Sequence, residues 1–345
     1  MLTPTRTLRR ATISGLGLYA PERVLTNREL ESIVATTDQW IVERTGIRER
    51  RIASPEQATS DLAVPAAEEA LRVAGLTAAD LDLIIVATCT GDMGSFPATA
   101  AIVQERLGAK KAAAFDVAAV CSGFVYALDV AAQYVETGRY SRVLVIGAEV
   151  MSRVLDWTDR NTCVLFGDGA GAVIVQAAEG AEAEAADTGI LGSILGTDGS
   201  GVCLLNVPAG GTRNPLTPAL IEQHKQYMMM DGKAVYRFAI EIMGEAALQA
   251  LASVGLTAGE VDLFIPHQAN IRIITAAAKR LDLSMDKVFV NVDRYGNTSA
   301  ASVPLAMVEA WKAGRIKPGS VVVTVGFGAG LTWGANVIRW GNVLP

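Results

Sequence analysis

Three residues in this chain have the types and neighbours that chemistry needs. Cys121 lies in DVAAVCSGFVYAL (116–128), where a small polar Cys-Ser-Gly interrupts two apolar runs. The run before it, 113–117, reads as a short buried strand. The run after it is apolar at helical spacing through Phe124, Val125, Leu128, Ala131, Ala132 and Val135. Cys121 is therefore expected at a strand-to-helix turn, where unpaired backbone N–H groups and the helix dipole favour a thiolate. A small buried hydrophobe is the competing reading, because free cysteines usually pack that way. His267 directly follows the apolar run VDLFIP, in FIPHQANIRI. It is one of only two histidines, and the other, His224, sits in the polar run IEQHKQY and is expected in solvent. Asn297 lies in RYGNTSAASVP.

The elements that must position these residues come in two copies. Residues 70–85, ALRVAGLTAADLDLII, and 250–265, ALASVGLTAGEVDLFI, share nine of sixteen positions at an offset of 180. Each copy reads as helix, glycine stop, turn and buried strand. ETGRYSRVLVIGAE (136–149) parallels KAGRIKPGSVVVTVGFG (312–328), and FGDGAGAVIV (166–175) parallels FGAGLTWGANVI (327–338). A unit this long predicts two related α/β halves, not a solenoid. The expected fold is α/β, with central mixed, largely parallel sheets and helices outside and between. The division is placed in the small, acidic stretch AAEGAEAEAADTG (177–189), giving halves 1–180 and 181–345. Counting back seventeen residues from Gly138 and Gly314 pairs Cys121 with Asn297, and the 180 offset pairs His267 with Ala87. Sites gather at the carboxyl ends of strands in open α/β sheets, so two such turns are expected to face one pocket.

Composition narrows the function. Of 345 residues half are hydrophobic, and the net charge of −6 with no long Lys/Arg block argues against bulk nucleic-acid binding. The four cysteines, Cys89, Cys121, Cys163 and Cys203, are far apart, so structural zinc and a disulfide framework both lack their signature. No apolar run reaches transmembrane length, and no secretory segment follows the basic N-terminus; a cytoplasmic location with reduced thiols is expected. Residues 1–10 are expected to fray.

Five motifs in order resemble β-ketoacyl-acyl-carrier-protein synthase III, a condensing enzyme of the thiolase fold. They are TDQWIVERTGIRERRIA (37–53), VCSGF (120–124), DRNTCVLFGDGAGA (159–172), PHQANIRI (266–273) and YGNTSAAS (295–302). The likeness runs from ISGLGLYAPERVLTN (13–27) to GFGAGLTWGANVIRW (326–340). It implies a Cys–His–Asn set on Cys121, His267 and Asn297, with an oxyanion hole from the backbone N–H groups of Cys121 and Ala329. It implies coenzyme A contacts from Trp40, Arg44 and Arg160, with Asn270 meeting the pantetheine arm. Phe96 takes the position that closes the acyl pocket of a neighbouring subunit in a homodimer. Arg272, Lys279 and Arg280 are candidates for a small basic patch for an acidic carrier protein.

The implied reaction starts fatty-acid synthesis. Cys121 takes the acyl group of a short acyl-coenzyme A, such as acetyl-coenzyme A, and malonyl-acyl-carrier protein then loses carbon dioxide and attacks the acyl-cysteine. Coenzyme A thioester is the substrate, and no metal or bound cofactor is implied. Val120 and Ala329 replace the alanine and glycine that many relatives carry, and a methyl at 329 matters if that position requires positive φ. Related condensing enzymes of polyketide-starter, quinolone or ketone pathways use the same three residue types. Thiolases need a second cysteine as base, for which Cys89, Cys163 and Cys203 lack the context. A duplicated actin-like ATPase holding magnesium at Asp168 leaves the three residues unexplained, and a silent partner subunit would have lost Cys121.

Overall fold

The computed structural model describes residues 8–179 and 188–343. Its core is two sheets. The first contains β1 (Ala11–Tyr19), β4 (Leu83–Ala87), β5 (Ala113–Val117), β6 (Arg142–Val150) and β7 (Asp168–Ala177), in the order β1-β7-β6-β4-β5. The second contains β8 (Gly189–Thr197), β11 (Leu263–Pro266), β12 (Val321–Gly328) and β13 (Thr332–Arg339), in the order β11-β12-β13-β8. Two short ribbons, β2 (Arg23–Thr26) with β3 (Glu49–Ile52) and β9 (Leu205–Asn206) with β10 (Met229–Met230), lie apart from them.

The sheets repeat each other as the sequence does: β11, β12, β13 and β8 take the places of β4, β6, β7 and β1. Both are mixed. Parallel pairing joins β4 to β5 and β6, and β11 to β12. The β6/β7, β7/β1, β12/β13 and β13/β8 pairs are antiparallel, so parallel pairing covers less of each sheet than the alternation of elements suggests. The connection 151–167 from β6 to β7 and the glycine turn from β12 to β13 both lead into antiparallel neighbours, not crossovers.

Seven helices matter for the site: α1 (Asp38–Thr45), α2 (Thr59–Ala74), α3 (Thr99–Leu107), α4 (Gly123–Glu136), α5 (Gly232–Ser253), α6 (Ile271–Arg280) and α7 (Ser302–Lys312). Strand residues alternate between two cores, as the period of two requires. Leu83, Ile85 and Ala87 pack with α4 and α7, which lie between the sheets, whereas Ile84 and Val86 pack with α2 outside. Val322 faces the central helices while Val321, Val323 and Val325 face α5 and α6. The result is five layers, helix, sheet, helix, sheet, helix, with both sheets covered on both faces.

The duplicated segment folds alike in both copies. Gly75 and Gly255 end their helices at φ +65° and +73°. Thr77 and Thr257 each follow with a capping box, closed by Asp80 in one copy and Glu260 in the other. The division expected between residues 180 and 181 lies outside the described residues. Arg9 and Arg10, expected to fray, are tied down: Arg9 N–H donates to Glu136 O at 2.9 Å and Arg10 O accepts from Ala178 N–H at 2.8 Å.

Candidate active site

The two central helices start at the same end of the molecule, and their N-terminal turns carry the site. Val120–Ser122 forms a 3₁₀ turn leading into α4, and Ser299–Ala301 forms one leading into α7. Val120 and Ser299 both have φ +48°, an uncommon conformation for non-glycine residues that marks strain held by the surroundings. This fixes the true register of the repeat. Cys121 corresponds to Ala300, not to Asn297 as the glycine count predicts. Helix α4 has 14 residues and α7 has 11, so counting back from the terminal glycines overshoots by one turn. Asn297 nevertheless reaches the same cavity from just ahead of its turn.

One cavity brings the three residues together. It is lined by Cys121, His267, Asn297 and Asn270, with Phe166 and Phe327 among its apolar walls. His267 stands one residue past β11, with its N–H donating to Val325 O at 2.7 Å. The imidazole is 1 % exposed, rests edge-on to Phe327, and its Nδ1 has no protein partner among the described residues. Burial pushes its pKa down to about 3, so it is a neutral ring. Asn297 is clamped across the halves: its N–H donates to Leu165 O at 2.8 Å and its O accepts from Gly167 N–H at 3.1 Å. Its side-chain Oδ1 accepts from Ser299 N–H at 2.9 Å, which commits the oxygen end and leaves the Nδ2 end as the donor.

Cys121 is 5 % exposed, and burial pushes its thiol up to about 12, with the Glu149 carboxyl also raising it and a bond to Ser299 lowering it. The preformed thiolate expected from the helix terminus is therefore not the resting state; burial outweighs the dipole. The Sγ donates to Ser299 Oγ at 3.4 Å. Gly328 lies against this turn so closely that a Cβ there would sit 2.7 Å from Cys121 N. Ala329 is not among the residues with positive φ, so its methyl is accommodated without strain. With Cys121 it lines a second, apolar cavity, together with Cys89, Val120, Met151, Val154, Leu205 and Met228.

Arg44, whose O is bonded by Asn270 of the cavity lining, and Arg160 place their guanidinium carbons 4.5 and 4.7 Å from the centre of the Trp40 ring. Asn270 caps α6, accepting from Arg272 N–H at 2.8 Å, and its Nδ2 donates to Arg44 O at 3.0 Å. Arg272 reaches Glu43 O at 2.7 Å, which ties α6 to α1. Of the expected basic patch, Arg272, Lys279 and Arg280 are all exposed on α6, but Arg280 is paired with Glu245 at 3.2 Å. Phe96 projects from its loop, 85 % exposed.

Other residues take structural places. Asp168 is fully buried and accepts from Ala53 N–H and from the N–H and hydroxyl of Ser152, so it is not free to hold magnesium. Cys163 is buried in the core. His224 is not simply solvated; its Nδ1 meets Asp156 Oδ2 at 2.5 Å. Among the described residues no group of three or more His, Cys, Asp or Glu is placed to hold a metal, and no helix is long and apolar enough to cross a membrane. Sequence reasoning missed Glu149, Ser299 and Arg50. Glu149 had one signal, an acid within the apolar run that follows Arg142 in the strand RVLVIGAEV. Arg50 is fully buried beneath the Asn297 loop and donates to Leu25 O, Asn27 Oδ1 and Val164 O, with no carboxylate paired to it among the described residues.

Comparison with known proteins gives a consistent picture. A family profile described as 3-oxoacyl-[acyl-carrier-protein] synthase III matches residues 115–199, and the profile of its C-terminal part matches residues 251–340. A β-ketoacyl-[acyl-carrier-protein] synthase III from Caldanaerobacter subterraneus subsp. tengcongensis is 55% identical over 96% of this chain and 98% of its own length. The crystal structure of 3-oxoacyl-[acyl-carrier-protein] synthase III from Aquifex aeolicus is 46% identical, with TM-score 0.87, covering 96% of this chain and 100% of that one. A priming β-ketosynthase from a polyketide biosynthetic pathway is 35% identical with TM-score 0.89, covering 99% of both chains.

Proposed function

This chain belongs to the β-ketoacyl-acyl-carrier-protein synthase III family, and from that premise we propose that Cys121, His267 and Asn297 carry its decarboxylative condensation. The observation that carries the assignment is their convergence on one cavity from two halves of the chain. Cys121 Sγ attacks the thioester of a short acyl-coenzyme A, and coenzyme A leaves. The acyl-cysteine keeps a thioester's reactivity toward carbon. Malonyl-acyl-carrier protein then binds at the same mouth and loses carbon dioxide. The enolate oxygen that forms is met by two neutral donors, the His267 ring and the Asn297 amide. A buried neutral imidazole suits this step, because it donates a hydrogen bond without requiring a buried charge. The carbanion attacks the acyl carbon, Cys121 departs, and the 3-ketoacyl product stays on the carrier.

The backbone N–H groups of Cys121 and Ala329 serve the acyl-transfer oxyanion, which Gly328 supports by letting the two segments lie in contact. The apolar cavity beside Cys121 receives the acyl chain, and Phe96 of a second copy in a homodimer closes it. Trp40, Arg44 and Arg160 take the adenine and phosphate end of coenzyme A, since a tryptophan face stacks and guanidinium pairs with phosphate. Asn270 meets the pantetheine arm. Arg272 and Lys279 are the exposed cations for the carrier protein. The halves divide near residue 180, and the enzyme works in the cytoplasm without a resident cofactor. Fatty-acid initiation is favoured over a specialised pathway by the higher identity to its relatives, 55% against 35% for the priming ketosynthase.

The test is intact mass after incubation with a panel of acyl-coenzyme A thioesters. An acyl adduct mapped to Cys121 and discharged by malonyl-acyl-carrier protein is the expected result. Cys121→Ser should abolish the adduct. An adduct elsewhere, or full acyl transfer in that variant, refutes the assignment.

A further inference from the structure

The condensation as described leaves one buried acid without a task. Glu149 on β6 is fully buried, and among the described residues no Lys, Arg or His pairs with it. Its carboxyl is held by neutral donors: the hydroxyls of Thr88 and Thr90, the N–H groups of Cys89 and Thr90, the Cys89 thiol, and Ser299 Oγ at 3.0 Å. Isolating a carboxyl in this way is costly, and burial raises its pKa.

The hydrogen bonds around it have a fixed direction. A serine hydroxyl carries one proton. Ser299 donates that proton to Glu149 Oε1, so toward Cys121 it accepts, and the 3.4 Å contact runs from the thiol to the hydroxyl. The line is Cys121 S–H to Ser299 O–H to Glu149 carboxylate. The backbone is built to hold it. Gly147, two residues before Glu149, meets the turn after Ser299 so closely that a Cβ would stand 2.3 Å from Ala300 O. Ser299 is kept in its left-handed conformation with its N–H on Asn297 Oδ1. Among the described residues, the titratable groups that interact with Glu149 are the Cys89 thiol, bonded to it, and the Cys121 thiol, on the far side of Ser299. His267, held neutral by burial, makes no bond to Cys121 among those of the described residues.

We propose that Ser299 and Glu149 form a proton relay that takes the Cys121 proton as its sulfur attacks the acyl thioester. The proposal rests on Cys121 being the nucleophile. As the Sγ–carbon bond forms, the thiol proton passes to Ser299 Oγ and the Ser299 proton passes to Glu149, which becomes a neutral carboxylic acid. The tetrahedral oxyanion then collapses and the carbon–sulfur bond to coenzyme A breaks. That sulfur leaves with the electron pair and regains a proton by the reverse path. Ser299 touches the reacting sulfur; Glu149 acts through it.

The relay and a purely electrostatic role predict opposite signs. The Glu149 charge by itself disfavours a nearby thiolate. If charge were all that mattered, Glu149→Gln would speed acylation of Cys121. The relay predicts that it slows acylation, by about 10²-fold, the usual scale for a positioned general base. The experiment is single-turnover release of coenzyme A from acetyl-coenzyme A against pH, for wild type, Glu149→Gln and Ser299→Ala, with circular dichroism to confirm folding. Ser299→Ala keeps the Glu149 charge and cuts the line; it also removes the bond that lowers the thiol, so undiminished acylation in it overturns the relay by itself, while slow acylation in both variants separates the relay from that lost bond. Both variants should be slow at neutral pH and recover as pH rises toward the thiol's own titration, and the double variant should lose little more than either single one. A folded Ser299→Ala that acylates within about threefold of wild type, with the same pH profile, overturns the relay. Peptide mapping of the wild-type adduct separates the two claims: an acyl group absent from Cys121 removes the nucleophile assignment, whereas one present on Cys121 with undiminished variants removes only the relay.

Discussion

The burial of His267 makes a prediction that can be followed at a single atom. An ordinary histidine titrates near 6.5, and burial takes this one down to about 3. The difference of about 3.5 pH units corresponds to roughly 5 kcal/mol against protonating the folded protein, at about 1.4 kcal/mol per unit. At pH 5 the folded protein should hold His267 protonated in only about 1 % of molecules, whereas the unfolded chain is almost fully protonated there. The unfolded state thus binds more protons, and stability falls as pH drops below about 6.5. By pH 5 the loss from this residue is about 2 kcal/mol, and it continues until pH reaches about 3. Buried acids raised by burial, such as Glu149 and Asp168, act in the opposite direction, so the measurement must be differential. The chain has only two histidines, so a carbon-edited spectrum of the ring Hε1 protons shows two signals, and His224→Gln assigns them by subtraction. The His267 signal should stay at its neutral position down to about pH 5. The stability difference between wild type and His267→Asn should change by about 2 kcal/mol between pH 8 and pH 5. A His267 midpoint above about 5 would refute the reasoning and make imidazolium the species that meets the enolate.

Three further outcomes follow from the geometry. Trp40→Ala removes the ring that Arg44 and Arg160 approach, and should raise KM for acyl-coenzyme A about tenfold in steady-state assays while leaving kcat close to wild type. Gly328→Ala places a Cβ 2.7 Å from Cys121 N and should lower kcat by about 10²-fold, since shifts near an ångström at reacting groups cost that much; near-wild-type kcat would show that the turn yields freely. Arg50→Ala leaves Leu25 O, Asn27 Oδ1 and Val164 O without their buried donor, and should cost about 3 kcal/mol or more, read as a lower thermal midpoint.

The five ordered motifs and the duplicated segment were legible because both are local. Gly75 and Gly255 stop helices, Thr77 and Thr257 cap turns, and apolar runs of strand length follow them; each of these depends on neighbours within a few residues. Cys121 was legible for the same reason, as a small residue between a strand pattern and a helix pattern. The strand direction was less so. The connection 151–167 after β6 and the glycine turn after β12 announce a change of element without stating whether the chain crosses over or folds back.

The sequence by itself determined two α/β halves, the residue types proposed for the reaction and the strand-end positions of Cys121 and His267. It could not set the register of the halves, because a helix three residues longer in one copy shifts every count made from its far end. Nor could it set proton affinities. A helix terminus argues for a thiolate, but the thiol's burial against the neighbouring half decides for the protonated form. Glu149 and Ser299 are 150 positions apart, and only the packing of the second half's turn on β6, permitted by Gly147, joins them to Cys121. Desolvation and hydrogen-bond direction belong to groups that meet across the fold, so they are properties of the tertiary structure alone.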